Sequence, residues 1–386
     1  MNKIVTLGIV TLLVFSNSYG QTISVALKRP DSLNDGIQTS TLAAVGMNAT
    51  VINKIIQGID SGFYPNRHSL LIYKNDKLVL EKYFTGKDQK AWAGDIGIIQ
   101  HNGNTLHDLR SVSKSVVSAC VGIAIAQRKI KGVNQKVFDF FKEYKSYDTG
   151  NKKNLTIENL LTMSSGLQWN EDVPYDNPEN SEIQMTASKD PIAFILSRPL
   201  TSMPGAEWKY NGGTTQLLAE IVKRATGQSV ADFANENIFR KLGITEYEWV
   251  VFPGTTNPIA ASGLRLRSRD ILKFGILYQR KGKWKDDQIL PAYWVEQSLQ
   301  SKVARPQTHY SAGGYGYQFW IFKDTIQGKE MEWPAAVGNG DQRIFFDKKR
   351  KLIVVMTAGN YNRWDIKNNS FAILRKIYES LRVTTD

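Results

Sequence analysis

Ser111 and Lys114 stand three residues apart in the stretch Asp108–Gln127, which reads DLRSVSKSVVSACVGIAIAQ. A serine hydroxyl becomes a useful nucleophile when a base takes its proton, and an amine kept from water is such a base. Positions i and i+3 of a helix share a face, so the two groups would be presented side by side. A helix N-terminus adds free backbone N–H groups and a positive dipole end, which suit a developing oxyanion. The chemistry implied is acyl transfer. Ser-x-x-Lys alone also fits a helix cap followed by a solvated first-turn lysine. The residues behind it weigh for chemistry: from Val116 to Ala126 almost every residue is apolar or small, which predicts a buried central helix and a desolvated Lys114. The run is too short and too rich in serine to span a membrane.

The other reactive side chains suggest less. Cys120 is the only cysteine, so no intrachain disulfide is possible, and its place inside the apolar helix predicts an inert core thiol. His68, His101, His107 and His309 show no metal-ligand spacing with cysteine or acids. Asp108 and Arg110 flank the nucleophile and read as a structural pair. Neither a metal nor an organic cofactor is expected.

The elements that must position Ser111 follow from periodicity. Met47–Asp60 carries apolar residues at helical spacing, and residues 69–84 read as a hairpin. A loop with Asn102, Gly103 and Asn104 leads into the central helix. Gly132–Tyr144 reads as an amphipathic helix, and Thr156 can cap a short helix, IENLLTM. Residues 168–190 form a polar, turn-rich stretch of the kind that often carries function. Further helices are predicted over Pro191–Leu196, Thr214–Thr226, Ser229–Leu242, Asp270–Arg280, Pro291–Gln300 and Phe371–Leu381. Strands are predicted over Tyr315–Phe322, Arg343–Asp347 and Leu352–Ala358. Strands thus lie at both ends of the chain with helices between, which predicts an α+β fold: one antiparallel sheet built from both ends around a helical insert at about 130–255.

The chain has 386 residues, 42% of them hydrophobic and 22% charged, an ordinary globular composition. Met1–Gly20 reads as a secretory leader: Lys3, an apolar run from Ile4 to Phe15, and a small-x-small site at Ser18-Tyr19-Gly20. The expected organisation is a leader at 1–20, an arm at 21–46 and one domain at 47–386, with a periplasmic or secreted location. The formal charge of +13 would fall to +12 without Lys3. Such a basic protein favours anionic envelope surfaces. Nucleic acid is not an expected partner, because the basic residues are scattered and no nucleic-acid motif is present. No membrane span is expected, and no signal of oligomeric state appears. The expected partner is a small-molecule or peptide substrate.

With Ser111-Val112-Ser113-Lys114, an apolar helix behind it and strands at both ends, the chain resembles the serine β-lactamase and penicillin-binding superfamily. The likeness covers about residues 65–381 and is strongest to the class C-like branch, which holds AmpC-type β-lactamases, D-alanyl-D-alanine carboxypeptidases, family VIII esterases and 6-aminohexanoate-dimer hydrolases. It rests on HDLRSVSKSVVSACVGIAIA, LTIENLLTMSSGLQW, PGAEWKYNGG, ASGLRLRSRDILKFG and YGYQFW. The resemblance implies that Tyr210, in Tyr210-Asn211-Gly212, is the base that works with Lys114. A nearby ammonium would favour its phenolate and lower its pKa. Gly212 stands where the family motif has asparagine, so that contact to substrate is absent. The segment AAVGNGDQRIFFD aligns Gly338 with the glycine of the Lys-Thr-Gly motif. Asn339 would then give one oxyanion-hole N–H and Ser111 the other. Ala336 and Val337 replace the cationic and hydroxyl residues of that motif and cannot hold a substrate carboxylate. Arg343 is a possible substitute. Trp169 is read as either a substrate platform at the cleft rim or ordinary packing.

The function expected is hydrolysis of an ester or amide through an acyl-enzyme on Ser111. Three rivals stand beside it. A true β-lactamase or D-alanyl-D-alanine carboxypeptidase is disfavoured by Ala336-Val337, and a non-catalytic binding or sensor protein by intact Ser111, Lys114 and Tyr210. A Ser-His-Asp hydrolase using His309 or His107 is disfavoured because no Gly-x-Ser-x-Gly elbow occurs.

Overall fold

Eight antiparallel strands make the central sheet of the computed structural model, which describes residues 27–308, 310–326 and 328–381. Their order is Val303–Arg305, Gly313–Tyr315, Trp320–Ile326, Lys329–Gly338, Gln342–Asp347, Leu352–Ala358, Arg67–Lys74, Lys77–Tyr83. The C-terminal strands therefore close onto the N-terminal hairpin, with Ser69 opposite Thr357 and Lys74 opposite Leu352. The leader reading at 1–20 and His309 lie outside the described residues.

Both faces of the sheet are covered, and the sequence shows why. SLLIY and LIVVM are unbroken apolar runs, so alternate side chains reach opposite faces and both must be buried. Leu70, Ile72, Val354 and Met356 pack with Ile52, Ile55 and Ile59 of the helix Ala49–Asp60 and with Ile373, Leu374 and Ile377 of the helix Ser370–Ser380. Leu71, Tyr73, Ile353 and Val355 face the other way, toward the helix Ser268–Gln279 and the apolar helix Ser113–Ala126. That second core continues into the helix Gly212–Thr226 and the short helices Ile157–Leu161, Pro191–Ser197 and Val230–Ala234. Among the described residues no helix is long and apolar enough to cross a membrane.

Four local differences from the sequence reading have physical causes. Gly132–Tyr144 is not one helix but two short 3₁₀ turns, Val137–Asp139 and Lys142–Tyr147. Its backbone pairs outward instead: Val137 N–H donates to Leu155 O, and Ile157 N–H to Gln135 O. The expected strand Tyr315–Phe322 is broken between Tyr315 and Trp320, where Gln318 has a φ of 64° and its side chain bonds the carbonyls of Leu160 and Leu161. Ser229–Leu242 breaks into the helix Val230–Ala234 and a π turn, Asn235–Phe239. The segment before Asn102, read as a loop, is a hairpin of Thr85–Lys90 and Gly94–Gln100. It escapes pattern reading because it offers no alternating apolar face; Asp88 is its buried side chain in the first strand.

Candidate active site

Ser111 sits in a 3₁₀ turn, Arg110–Val112, that runs directly into the helix Ser113–Ala126. Arg110 has a φ of 49°, uncommon for a residue with a Cβ, and this kink turns Ser111 out of the helix line. Two bonds hold the kink: Ser113 Oγ donates to Arg110 O, and Leu109 N–H donates to Leu264 O. Lys114 follows one helical step on and is 1% exposed. Its Nζ lies 3.0 Å from Ser111 Oγ and 3.0 Å from Ala261 O. The desolvation expected from the apolar run is therefore present, and the hydroxyl and amine meet as their spacing requires.

Tyr210 comes from the turn that starts the helix Gly212–Thr226. Asn211 caps that helix, its Oδ1 accepting from Thr214 N–H at 3.1 Å, so Asn211 is occupied with the helix start and not with a ligand. The Tyr210 ring lies under Lys114 Nζ, 5.0 Å from the ring centroid, and its hydroxyl is hydrogen-bonded to Ser111. The expectation that Tyr210 has a lowered pKa is corrected. Burial raises it well above the ordinary tyrosine value, the Glu171 and Glu182 charges raise it further, and the hydrogen bond with Ser111 opposes them without prevailing. Tyr210 at rest is a neutral phenol, a proton donor.

Two acids that the sequence reading did not single out complete the floor of the site. Glu182 Oε2 lies 3.9 Å from Lys114 Nζ, and Glu182 Oε1 accepts from Ser262 Oγ at 2.6 Å. Glu171 accepts from Trp169 Nε1 at 2.5 Å, from Tyr175 Oη at 2.7 Å and from Gly212 N–H. Burial pushes the Glu182 carboxyl up to about 7, against the pull of Lys114 and with the help of Glu171. A Cβ on Gly212 would lie 2.8 Å from both carboxylates. The acids thus occupy the space into which a side chain at 212 would project. Both lie in the polar stretch 168–190; Asn180, capping the short helix Ser181–Ala187, is the local signal that orders Glu182.

The remaining expected residues divide. Ser111, Tyr210, Gly338 and Asn339 line one open cleft of about 560 Å³, with Tyr175, Trp208, Tyr310, Trp320 and Trp364 supplying aromatic walls. Gly338 is required by close approach: a Cβ there would sit 2.3 Å from Leu109 O, against the turn that holds Ser111. The Asn339 side chain is fixed by a mutual pair of bonds with Asn362. Trp169 is not at the rim. It is 4% exposed, packs edge-on to Phe194 and buttresses Glu171, so the packing alternative describes it. Arg343 is not available as a substitute cation: it is buried, paired with Asp341 at 2.9 Å and bonded to Tyr310 Oη. Asp108 and Arg110 do pair, at 3.2 Å, and Arg265 joins them at 2.6 Å from Asp108. Cys120 is fully buried, and burial holds its thiol far above the ordinary range. His68, His101 and His107, which show no ligand spacing along the sequence, converge with Asp88 in space.

With fold and site in view, comparison places the chain. The family profile described as Beta-lactamase matches residues 68–369, well over half of the chain, and the protein belongs to that family. It is 24% identical over 268 residues to the 6-aminohexanoate-dimer hydrolase of Paenarthrobacter ureafaciens, an alignment covering 64% of this chain and 65% of that protein. The chain thus spans about two thirds of that relative. Among solved structures it resembles a family VIII carboxylesterase (TM-score 0.64, 16% identity, 87% of this chain and 98% of the other). It also resembles a class C beta-lactamase (TM-score 0.61, 16% identity, 86% and 96%). At these identities the structural likeness speaks for the fold alone.

Proposed function

We propose that the protein is a serine hydrolase that cleaves an ester or amide through an acyl-enzyme on Ser111. The observation that carries this is the contact of Lys114 Nζ with Ser111 Oγ at 3.0 Å, both buried at the base of a cleft, with the Tyr210 hydroxyl bonded to the same serine. Lys114 in its free-amine form accepts the Ser111 proton as Oγ bonds to the substrate carbonyl carbon. The backbone N–H groups of Ser111 and Asn339 receive the oxyanion. The bond to the leaving alcohol or amine breaks as its departing atom takes a proton from the neutral Tyr210 phenol. Tyr210 is reprotonated from Lys114. Water, losing its proton to the same pair, then releases the acid and restores Ser111. The raised pKa of Tyr210 suits it to the donor's part, and the contact of Lys114 Nζ with Ser111 Oγ suits the amine to the base's part.

The cleft also bears on substrate charge. Among the described residues its lining carries Glu171 and Asp172, the latter paired with Lys209, and no lysine or arginine. Arg110 reaches the opposite side of Ser111, stacked over the Tyr361 ring and paired with Asp108. Val337 presents an apolar wall where a carboxylate-binding group would be needed. This favours an uncharged or cationic acyl group with an apolar part over a β-lactam or peptide carboxylate. The test is turnover of p-nitrophenyl butyrate by wild type and Ser111→Ala, with a chromogenic cephalosporin alongside. Ester turnover that drops at least about 10³-fold in the variant is expected. Undiminished turnover in Ser111→Ala rejects the nucleophile, and a cephalosporin rate above the ester rate rejects the substrate class.

A further inference from the structure

His68 on the strand Arg67–Lys74, Asp88 on the hairpin strand Thr85–Lys90, His101 just past that hairpin, and His107 four residues before Ser111 come together in the interior. Their exposures are 0%, 2%, 5% and 2%. One donor atom from each lies within 4.8 Å of all the others.

The surrounding bonds fix which ring nitrogens carry hydrogen. His107 Nδ1 lies 2.9 Å from the Asp108 carbonyl, which can only accept, so Nδ1 is the donor and Nε2 of the neutral ring holds a lone pair. Asn66 Nδ2 donates to Lys87 O, which leaves Asn66 Oδ1 facing His68 Nε2 at 3.3 Å. That nitrogen is therefore the donor, and His68 Nδ1 holds the lone pair. The two lone-pair nitrogens, His68 Nδ1 and His107 Nε2, face each other at 2.7 Å. Such a contact needs a positive centre beside it. His101 Nε2 is buried without a hydrogen-bond partner. Asp88 Oδ1 accepts from Tyr361 Oη and from Gln89 N–H, both at 2.8 Å. The second oxygen, Oδ2, lies 3.9 Å from His101 Nε2.

We propose that His68 Nδ1, His101 Nε2, His107 Nε2 and the Asp88 carboxylate bind one divalent ion of the zinc type. Three imidazoles and one carboxylate are a donor set that suits zinc and not calcium or magnesium. Donors of a tetrahedral zinc shell are about 3.3 Å apart; here His68 Nδ1 and His107 Nε2 are 2.7 Å apart, His107 Nε2 is 3.8 Å from Asp88 Oδ1, His101 Nε2 is 3.9 Å from Asp88 Oδ2, and the set lies within 4.8 Å, so the wider pairs must draw in on the ion. Asp108 O, Asn66 and Tyr361 orient the ligands from outside, as second partners do in metal sites. Four protein ligands close the shell, so the ion's part is structural. It ties the hairpin Thr85–Gln100 and the segment entering Ser111 to the central sheet, and it lies outside the acyl-transfer chemistry proposed above.

The experiment uses tag-free full chain. Wild type is equilibrated with Zn²⁺, freed of excess ion and analysed for metal; in parallel Co²⁺ is loaded and its visible spectrum recorded. One zinc per chain, the intense d–d bands of tetrahedral Co²⁺, and a lower Tm after chelation are expected. His101→Ala should bind zinc at least about tenfold more weakly and lose the Co²⁺ bands. If that variant does not fold, the wild-type zinc content and Co²⁺ spectrum decide alone. Folded wild type that takes up well under one equivalent and whose Tm responds to neither Zn²⁺ nor chelator overturns the proposal; a proton shared by His68 and His107 would then occupy the centre. Full zinc uptake by folded His101→Ala overturns it as well.

Discussion

Asp341 and Glu182 are both buried carboxylates near lysine or arginine, and they behave in opposite ways. Asp341 is met by Arg67 and by Arg343 at 2.9 Å, and its oxygens also accept from Ser370 N–H and Oγ. The two guanidinium charges and those bonds overcome burial and hold its carboxyl well below the usual carboxylate range. Glu182 has one hydroxyl donor at 2.6 Å and Lys114 Nζ at 3.9 Å, with a second acid close by, and burial wins. Full compensation makes a structural anchor with a fixed charge. Partial compensation makes a group whose proton can move within the working pH range, and that group stands beside the amine and phenol that contact Ser111.

The largest expected effect tests the anchor. Asp341→Asn leaves Arg67 and Arg343 buried without their shared anion and should cost about 3–5 kcal/mol in urea unfolding. The sign with pH follows from the lowered pKa: the stabilisation is present above the ordinary carboxylate range and is lost as pH falls. The gap between wild type and Asp341→Asn should therefore narrow in acid. A gap that stays constant down to low pH would break the contrast. Next, Tyr210→Phe removes the proton donor and should lower kcat on p-nitrophenyl butyrate by about 10²-fold or more while leaving Tm nearly unchanged. A small loss would move leaving-group protonation to Lys114. The smallest effect sharpens the other half. Glu182 has a raised pKa, so its contribution to stability is present below the ordinary carboxylate pKa and is lost as pH rises through about 7. Glu182→Gln should then show a Tm above wild type at pH 8, with the difference closing toward pH 4 in calorimetry. A wild-type advantage at pH 8 would show that Lys114 compensates Glu182 fully.

The Ser111–Lys114 contact is legible in the chain because it rests on an i, i+3 spacing at a helix start, where local geometry settles the outcome; Tyr210 is reached only through the family resemblance, and the burial that raises its pKa is tertiary. The sheet is legible because its central strands are unbroken apolar runs. Glu171 and Glu182 are not legible. They reach Lys114 and Gly212 through the folding of a polar stretch whose only local signal is a helix cap at Asn180. Trp169 has no local feature that chooses between cleft and core; its bond to Glu171 does, and that bond is tertiary. The histidine cluster is hidden for the same reason. His68 and His107 are 39 residues apart, and Asp88 reaches them on a hairpin without an apolar face.

The pairing of the strand Arg67–Lys74 with Leu352–Ala358 also governs when the protein can exist as an enzyme. Ser69 meets Thr357 across 288 residues of chain. A sheet whose centre joins the earliest and latest strands cannot close while the chain is still emerging, and contacts so far apart in sequence make folding slow. Gly338, which presses on Leu109 behind Ser111, also belongs to the late strands. Catalytic competence should therefore wait until the strand Leu352–Ala358 has been made and has paired with Arg67–Lys74. A fragment ending before Leu352 would have Ser111, Lys114 and Tyr210, and no centre to the sheet behind them.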